Sequence, residues 1–586
     1  MKLSQTAVQC ILLSVLIIGN YLIASKPNII YINVDDLDFD EISVYDYREF
    51  PSYTGMRAAG YFMADVPLPI VQNLHSLMDD ETLGFEDPRM LTPNVEKLAD
   101  QGTIFTRFYV TSAACTPSRY TSLTGRLASR SPGLLATIPQ DQQVNIRWNT
   151  SIAPEEPTLI KSLDALGYTT GISGKWHNGI SESAAHAIAN EMDVEYPFDV
   201  EASANIHDSE VQRRVRANNT LLTRYLEEYI GFDWARTVSN KNKEFWPVPE
   251  TLKVHNLEWI TGGALDFIDA VHGEPFFLYV SMPVPHGHYY KGWEQSDVRA
   301  TPGGFWDQEE DAQLSRDSIF ERLQALGIDE RSSMGTWIDD SVGAILERLD
   351  AYGLAENTIV IFTSDHQARG KNTCYEGARV PFIIRWPGVT RPGSQIDALC
   401  VNADLAPTFV EVAGGSSQMG AMLDGMSLLP LIRGERRDQH PYVFLELNNS
   451  RALVSERWKL LLNRVPEYQK VVNPQVWERE PESIASAMAF ERVNYGDNLL
   501  RRRVAWDGVI GNGIWENVGV WFYSAYTFPA YFEPDQLYDL SEDPFEQHNL
   551  IHEPAVQSTV VDLKSKMAEV IRELPRPFGE FESNVN

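Results

Sequence analysis

Cysteine is rare in this chain, with only four among 586 residues. Cys10 lies in the N-terminal segment, so Cys115, Cys374 and Cys400 remain in the body of the protein. Three thiols cannot all pair, and so few exclude a fold that depends on several disulfide bridges. A bridge between Cys374 and Cys400 is left open, although their spacing does not support one. Buried free thiols are the ordinary alternative.

Positive charge is also in short supply. Lys and Arg total 49 against 81 Asp and Glu, which gives a formal net charge of -32. Such a surface repels nucleic acid and anionic membranes, so neither is expected as a partner. A local cluster of cations can still bind a small anionic substrate in one pocket. The hydrophobic fraction of 43% and the aromatic fraction of 11% exclude a disordered chain and predict a globular protein with a large core.

The N-terminus carries a long apolar run, in which Lys2 precedes mostly apolar residues from 7 to 24. A charged start, an apolar middle and small residues at the end are typical of a signal peptide, which we predict over residues 1–24. The run is near the lower length limit for a membrane-spanning helix, so an uncleaved anchor remains open, and only then would the protein meet a membrane. In either case we expect the body of the protein to be secreted, periplasmic or on the cell surface.

Short apolar runs rich in β-branched residues alternate with amphipathic helical patterns along most of the chain. The strand patterns lie at residues 28–36, 169–176, 275–286, 357–366 and 380–388. The helical patterns lie at residues 92–102, 156–167, 260–271 and 341–353. Strand, helix and strand in this order predict an α/β fold with a largely parallel central sheet. In such sheets the functional site lies at the C-terminal ends of the strands.

The pattern changes near residue 435. Beyond it, the stretches VFLEL, ALVSERWKLLLN and DQLYDL are typical of a smaller antiparallel sheet, so we predict a C-terminal α+β domain over residues 436–586. Two insertions, residues 40–91 and about 466–534, are long enough to form lids or specificity surfaces. The chain has no internal repeat or low-complexity tract.

Four residues with metal-binding side chains come directly after two of the predicted strands. Asp35 and Asp36 follow the first strand, and Asp365 and His366 follow a later one. Because strand ends meet at one edge of a parallel sheet, these side chains are candidate ligands for a divalent cation. Three carboxylates favour a hard ion such as calcium. For each acidic pair taken alone, a solvated loop is the alternative.

Cations and imidazoles lie at equivalent strand ends. Lys175 and His177 follow one strand, His286 follows another, and Lys371 comes shortly after a third. Together with Arg119 and a divalent cation they would form a site for a small tetrahedral oxyanion. A structural histidine or a surface lysine is the alternative for each residue alone. Sulfuryl and phosphoryl transfer both need such a site, and these residues leave the choice between them open.

A family resemblance favours sulfuryl transfer over phosphoryl transfer. The stretch CTPSRYTSLTGR, residues 115–126, resembles the signature of the type I sulfatases, in which the cysteine is oxidised to Cα-formylglycine before the chain folds. Further blocks that look like sulfatase blocks follow in the family's order: NVDD, TPNVEKLADQG, GYTTGISGKWH, PFFLYVSMPVPH, TSDH, KNTCYEGARVPFIIRWPG, ADLAPTFVEVAG and LYDLSEDPFEQHNL. The resemblance implies a large alkaline-phosphatase-like sandwich, with a catalytic sulfatase domain over residues 25–435.

The resemblance also implies a role for each candidate residue. Cys115 takes the formylglycine position, which requires a formylglycine-generating enzyme during maturation. The residues that match ligands of one calcium ion are Asp35, Asp36, Asp365, His366 and Cys115 in its modified form. The residues that match sulfate-binding and proton-transfer positions are Arg119, Lys175, His177, His286 and Lys371. Gln367 stands where many relatives have Gly, which leaves open whether His366 or a neighbour donates to the metal.

The implied mechanism uses the two hydroxyls of hydrated formylglycine. One hydroxyl attacks sulfur while His286, with Lys371 nearby, protonates the departing sugar oxygen. Lys175 and Lys371 hold the sulfate oxygens. His177 then takes the proton of the second hydroxyl, so that sulfate leaves and the aldehyde returns. An unmodified Cys115 would leave the protein nearly inactive.

Substrate recognition is expected in the insertions and the C-terminal domain. Residues 505–534 are rich in aromatic side chains that suit stacking on sugar rings, and packing within the domain is the alternative. The candidates for sugar contacts are Trp506, Trp515 and Trp521. Together with the net charge of -32, this predicts an exo-acting sulfatase for a sulfated poly- or oligosaccharide. Two alternatives stay open: a phosphonate or phosphate ester hydrolase with the same nucleophile, and a non-catalytic glycan-binding sulfatase homologue.

Overall fold

The computed structural model describes the chain over residues 26–45, 90–146, 148–198, 200–286, 293–328, 330–367, 373, 378–416, 422–464, 530, 533–544 and 546–579. The predicted signal segment, most of both insertions and the aromatic stretch 505–529 lie outside the described residues. Predictions about those segments, and the predicted domain boundaries, therefore stay predictions. Within the described ranges, no helix has both the length and the apolar character needed to cross a membrane.

The first part of the chain forms twelve strands within the described residues. They are β1 (Asn28–Val34), β2 (Thr103–Phe105), β3 (Phe108–Tyr109), β4 (Thr169–Lys175), β5 (Trp234–Ser239), β6 (Phe276–Met282), β7 (Ala300–Thr301), β8 (Gly304–Phe305), β9 (Thr358–Ser364), β10 (Phe382–Arg385), β11 (Ser394–Ile396) and β12 (Cys400–Val401). Eight of them form one sheet in the order β11-β2-β10-β9-β1-β6-β4-β5. Within that described sheet, β10 alone runs antiparallel to its neighbours. The predicted largely parallel sheet is confirmed.

Strand β1 shows why helices cover both faces of the sheet. All seven residues of NIIYINV are buried. Successive side chains of a strand point to opposite faces, so Ile29 and Tyr31 enter one hydrophobic core and Ile30 and Ile32 enter another. A mostly apolar run in the sequence therefore corresponds to a strand that is buried between two helical layers.

Helices pack on both faces of this sheet. They are α1 (Pro93–Asp100), α2 (Cys115–Thr124), α3 (Pro132–Leu135), α4 (Leu159–Ala165), α5 (Glu182–Glu191), α6 (Ser209–Tyr225), α7 (Leu257–Val271), α8 (Arg316–Leu326), α9 (Ser333–Ala351), α10 (Leu405–Val412) and α11 (Leu429–Ile432). Ile268 of α7 and Ile345 of α9 belong to one core. Leu163 of α4 and Phe409 of α10 belong to the core on the other face. The four predicted helical patterns are confirmed as helices, and the α/β sandwich follows from them.

The C-terminal part contains the predicted antiparallel sheet. Its elements are β13 (Tyr442–Leu447), β14 (Ser450–Ser455), β15 (Trp458–Asn463), β16 (Asp535–Asp539) and helix α12 (Gln557–Arg572). Leu453 of the sheet and Met567 of α12 share a separate hydrophobic core. Leu447 packs against Ala114, directly before Cys115. The smaller sheet therefore contacts the segment that leads into helix α2.

Cys400 lies in β12 and is a buried, free cysteine. Burial raises the pKa of this thiol well above its ordinary value. Cys374, with which the sequence left a bridge open, lies outside the described residues. A free Cys400 agrees with the sequence spacing, which did not support a bridge between the two.

Candidate active site

Two neighbouring strands carry the predicted cation ligands to one edge of the sheet. Strands β1 and β9 pair in parallel and in register up to their last residues. Asp35 and Asp36 follow one strand and Asp365 and His366 follow the other, and each of the four exposes 3% or less of its surface. The backbone N–H of Asp36 donates to Asp365 Oδ1 at 3.1 Å. This hydrogen bond holds the two strand ends together.

A cluster of four ligand side chains forms at this edge. Ligand atoms of Asp35, Asp36, Cys115 and His366 all lie within 4.8 Å of one another. His366 Nε2 is 2.9 Å from Asp36 Oδ1 and 3.4 Å from Cys115 Sγ. Asp365 lies beside the cluster, with its Oδ1 3.8 Å from His366 Nε2. The structure thus brings together all five residues that the sequence predicts as cation ligands.

The hydrogen bonds of His366 test whether this cluster fits a cation. A carbonyl oxygen only accepts, so His366 Nδ1 must donate to the Gln367 carbonyl at 2.7 Å. In the neutral ring, Nε2 then carries a lone pair, which faces Asp36 Oδ1 at 2.9 Å. Two acceptors this close repel each other unless a cation or a proton lies between them. The Gln367 side chain donates to the Arg379 carbonyl instead, so His366 is the residue that faces the cluster.

The carboxylates of the cluster also fit a hard divalent cation. Asp35 Oδ1 is buried and accepts no hydrogen bond from any described residue, and Arg119 Nη2 lies 3.6 Å from it. A buried carboxylate oxygen without such a partner is costly unless a cation compensates it. Oxygen ligands favour calcium, and in this set the nitrogen of His366 and the sulfur of the unmodified Cys115 are the exceptions.

Helix α2 begins at Cys115 and is buried along its whole length. Arg119 lies one turn further along the same face of the helix. Its Nη2 is 2.9 Å from Asp365 Oδ2, and its Nη1 donates to the Tyr279 hydroxyl at 3.0 Å and to the Ser281 hydroxyl. Burial lowers the pKa of Arg119, but Asp365 and the other anionic neighbours raise it well above its ordinary value. The guanidinium is therefore a fixed positive charge beside Cys115.

Two further predicted residues lie at the C-terminal end of β4: Lys175 is its last residue, and His177 follows two positions later. The Lys175 ammonium donates to Asp35 Oδ2 and to Asn242 Oδ1. His177 adopts a left-handed backbone conformation, with φ of 54°, and lies within hydrogen-bonding reach of Cys115. Burial and the charge of Lys175 lower the pKa of His177 to about 4. The imidazole is therefore neutral at physiological pH and can accept a proton.

His286 approaches the cluster from the segment after β6. Its Nε2 is 3.7 Å from Asp36 Oδ2 and 3.1 Å from Asn242 Nδ2. Lys371 lies outside the described residues, and so do the aromatic candidates Trp506, Trp515 and Trp521. The roles predicted for those four residues stay predictions.

Sequence reasoning misses three residues of this site. Asn242 contacts both Lys175 and His286, and Tyr279 and Ser281 contact Arg119. Asn242 comes shortly after the end of β5, so its place after a strand was a usable signal. Tyr279 and Ser281 lie inside the apolar run of β6, where the pattern does not distinguish them from core residues.

The arrangement can bind a small anion beside Cys115, provided that a cation is present. Three buried carboxylates outnumber the two basic side chains, Arg119 and Lys175, among the described residues of the cluster. An oxyanion alone would meet net negative charge. With a divalent cation added, the balance becomes positive and suits an anionic group.

Comparison with known proteins agrees with this chemistry. The chain matches the Sulfatase family model over residues 27–416, and the model described as N-sulphoglucosamine sulphohydrolase, C-terminal, over residues 365–475. An N-acetylgalactosamine-6-sulfatase from Mus musculus is 29% identical over 441 residues, covering 69% of this chain and 74% of that protein. An ulvan-active sulfatase from Formosa agariphila is 24% identical over 92% of this chain and 78% of that protein.

Solved structures share the fold. The phosphonate monoester hydrolase of Agrobacterium radiobacter aligns with a TM-score of 0.51 at 16% identity. The alignment covers 93% of this chain and 95% of that one. At this identity the likeness concerns the architecture, and the reaction is argued from the site.

Proposed function

The chain belongs to the sulfatase family and is a sulfuric ester hydrolase, and we propose that it desulfates a sulfated poly- or oligosaccharide with a nucleophile made from Cys115. One observation carries the proposal: Cys115 is buried, lies within the cluster of candidate cation ligands, and is close to Arg119. Sulfate ester hydrolysis needs a nucleophile in line with the leaving oxygen and fixed positive charge around the other oxygens of the group.

Cys115 is the residue from which the nucleophile would be made. A formylglycine-generating enzyme would convert it to Cα-formylglycine, whose hydrate supplies one hydroxyl for attack on sulfur and a second for release of sulfate. The thiol of unmodified Cys115 supplies neither hydroxyl, so we expect the unmodified chain to be inactive. His177 lies within hydrogen-bonding reach of this position and is neutral. It is suited to take the proton of the second hydroxyl.

Five side chains would hold one calcium ion: Asp35, Asp36, Asp365, His366 and residue 115 in its modified form. When bound, the ion supplies positive charge next to the sulfate oxygens and the attacking hydroxyl. The chain itself contributes the oxygen-rich, buried pocket, in which such charge acts more strongly than in water.

The remaining residues would bind the sulfate group and manage protons. Arg119 and Lys175 would offset the charge on the sulfate oxygens as the bond from sulfur to the sugar oxygen breaks. The leaving oxygen would take a proton from His286, with Lys371 nearby, because an alkoxide leaves poorly. His286 faces the same cluster, with its Nε2 3.7 Å from Asp36 Oδ2.

Sugar sulfates are the proposed substrates because of the relatives and the charge of the chain. Two relatives carry the names N-acetylgalactosamine-6-sulfatase and ulvan-active sulfatase. The net charge of -32 disfavours a long cationic groove and supports exo action on a terminal, sparsely sulfated sugar. We further propose that the aromatic stretch 505–534 contacts the sugar, and that the N-terminal segment directs the protein out of the cytoplasm.

The test compares the wild type with Cys115→Ala, both made in a host that contains a formylglycine-generating enzyme. Each is assayed for sulfate release from sulfated mono- and oligosaccharides, with matched phosphate esters beside them. We expect sulfate release by the wild type, none by the variant, and slower cleavage of the phosphate esters. Faster cleavage of the phosphate esters would replace the proposal with phosphorus ester hydrolysis. Sugar binding without turnover, in protein that carries the aldehyde, would favour a glycan-binding homologue.

A further inference from the structure

Asn242 joins two residues to which the proposed function gives roles. Its Oδ1 accepts a hydrogen bond from Lys175 Nζ, and its Nδ2 lies 3.1 Å from His286 Nε2. The orientation of the Asn242 side-chain amide follows from chemistry, because the Lys175 ammonium has only hydrogen-bond donors and must face the amide oxygen. The nitrogen end therefore faces His286 and donates to Nε2, so the proton that the proposed function assigns to His286 is carried on Nδ1. One side chain thus orients a cation at one end and an imidazole at the other.

At the oxygen end, Asn242 limits the rotation of the Lys175 ammonium. The ammonium has three N–H donors, and two of them meet the buried acceptors Asp35 Oδ2 and Asn242 Oδ1. With two donors held, the third N–H has one direction left, and it is the donor that remains for a substrate oxygen. Without Asn242 the ammonium would turn about its remaining contact with Asp35, and the third donor would lose its aim.

The backbone around Asn242 is itself well held. The Asn242 carbonyl accepts from the Phe245 N–H at 3.0 Å, which closes the short 3₁₀ turn Lys243–Phe245. The Trp246 indole N–H donates to the Lys241 carbonyl at 2.6 Å. Asn242 exposes only 6% of its surface. An anchored, buried amide can hold its two partners at fixed positions, which a mobile side chain cannot do.

We propose that Asn242 is a positioning residue, which sets the directions of the Lys175 ammonium and the His286 ring together through one two-ended amide. The inference rests on the roles that the proposed function gives to Lys175 and His286. Asn242→Ala should lower kcat on a sugar sulfate about 10- to 100-fold, the usual loss when a partner that orients a functional group is removed. The urea midpoint of unfolding should change little by comparison.

Three further variants separate positioning from a general structural role. Asn242→Asp keeps the shape of the side chain and an acceptor for Lys175, but it loses the donor to His286 and adds negative charge beside the anion site, so it should be impaired at least as much as Asn242→Ala. In a His286→Ala background, the added loss from Asn242→Ala should shrink to the part that acts through Lys175. Asn219→Ala is the matched control, because the Asn219 amide donates to the Val238 carbonyl of β5 at 2.7 Å, and this hydrogen bond involves none of the proposed catalytic residues.

The outcomes separate this inference from the proposed function. A wild type that releases sulfate, with Asn242→Ala within about twofold of it, overturns the inference alone. Losses that multiply fully in the double variant with His286→Ala also overturn it, because Asn242 would then act independently of the histidine. An inactive wild type that carries the aldehyde overturns the proposed function, and this inference with it. Reduced kcat in both Asn242→Ala and Asn242→Asp, with a non-additive double variant, supports it.

Discussion

Calcium is expected to stabilise the fold through Asp36, and the perturbation that tests this is Asp36→Asn. The substitution preserves the shape of the side chain and removes one of three buried negative charges, the others being Asp35 and Asp365. Arg119 and Lys175 balance only part of that charge. A bound cation should therefore stabilise the wild type, and the variant should lose most of this gain.

The size of the effect follows from binding linkage. At calcium about 100-fold above its dissociation constant, a site that exists only in the folded protein adds about 2.7 kcal/mol to the free energy of unfolding. Two unit charges about 4 Å apart interact by about 4 kcal/mol at an effective dielectric constant of about 20, so loss of the Asp36 charge should weaken calcium binding at least about 100-fold. At the same calcium concentration the gain for the variant falls to about 0.4 kcal/mol.

The assay is urea denaturation of both proteins with calcium and with a chelator. Without the cation the order should reverse or level out, because the variant has lost repulsion among buried carboxylates. Asp266→Asn is the matched control, since it makes the same charge change at an exposed position of α7. The reasoning is refuted if chelation leaves the wild type unchanged, or if calcium stabilises Asp36→Asn as much as the wild type.

Three other predictions concern the leaving group, the backbone and pH. His286→Ala should lower turnover of a sugar sulfate about 10²- to 10⁴-fold and that of an aryl sulfate with an acidic leaving group much less, so equal losses would contradict its role as acid. Gly174→Ala should cost at least about 2 kcal/mol by urea denaturation, because φ is 103° and the new Cβ would lie 2.0 Å from the Ser281 carbonyl oxygen. Gly167→Ala, with φ of 79° and open space around it, should cost clearly less, and equal costs would count against the clash. Burial raises the pKa of Asp339 to about 7, above an unfolded value of about 3.9, so its contribution to stability is full below about pH 4 and is lost as the pH rises towards 7. Between about pH 4 and 7 the free energy of unfolding should therefore fall less steeply with pH in Asp339→Asn than in the wild type, by up to about 1.4 kcal/mol per pH unit. Urea denaturation at several pH values measures this slope, and the same slope in both proteins would refute the raised pKa of Asp339.

The cation ligands could be predicted because their sequence context allows few arrangements. The β1 pattern NIIYINV has no polar interruption on either face except its asparagines, so it predicts a strand that is covered on both sides. Carboxylates that follow such a strand directly must lie at the C-terminal edge of the sheet. The same reasoning applies to Asp365 and His366 after β9, and the structure confirms that the two pairs meet.

The residues that sequence reasoning misses depend on tertiary contacts. Ser281 is the second-last residue of the buried strand β6, and it matters because β6 lies between β1 and β4, where Arg119 reaches it. Asn242 follows a strand, but its role depends on the direction of one amide between Lys175 and His286. Strand β10 reads like the other apolar runs, and its antiparallel direction follows from the path of the chain, which periodicity does not encode.

The most direct test of the account is the mass of the tryptic peptide FYVTSAACTPSR, residues 108–119, taken from protein that releases sulfate. The proposed mechanism needs two hydroxyls on one carbon at residue 115, which only the hydrated aldehyde supplies. This peptide should therefore carry the aldehyde in place of the thiol. A peptide that carries only the unmodified thiol, in a preparation that still cleaves sulfate esters, would contradict the proposed mechanism.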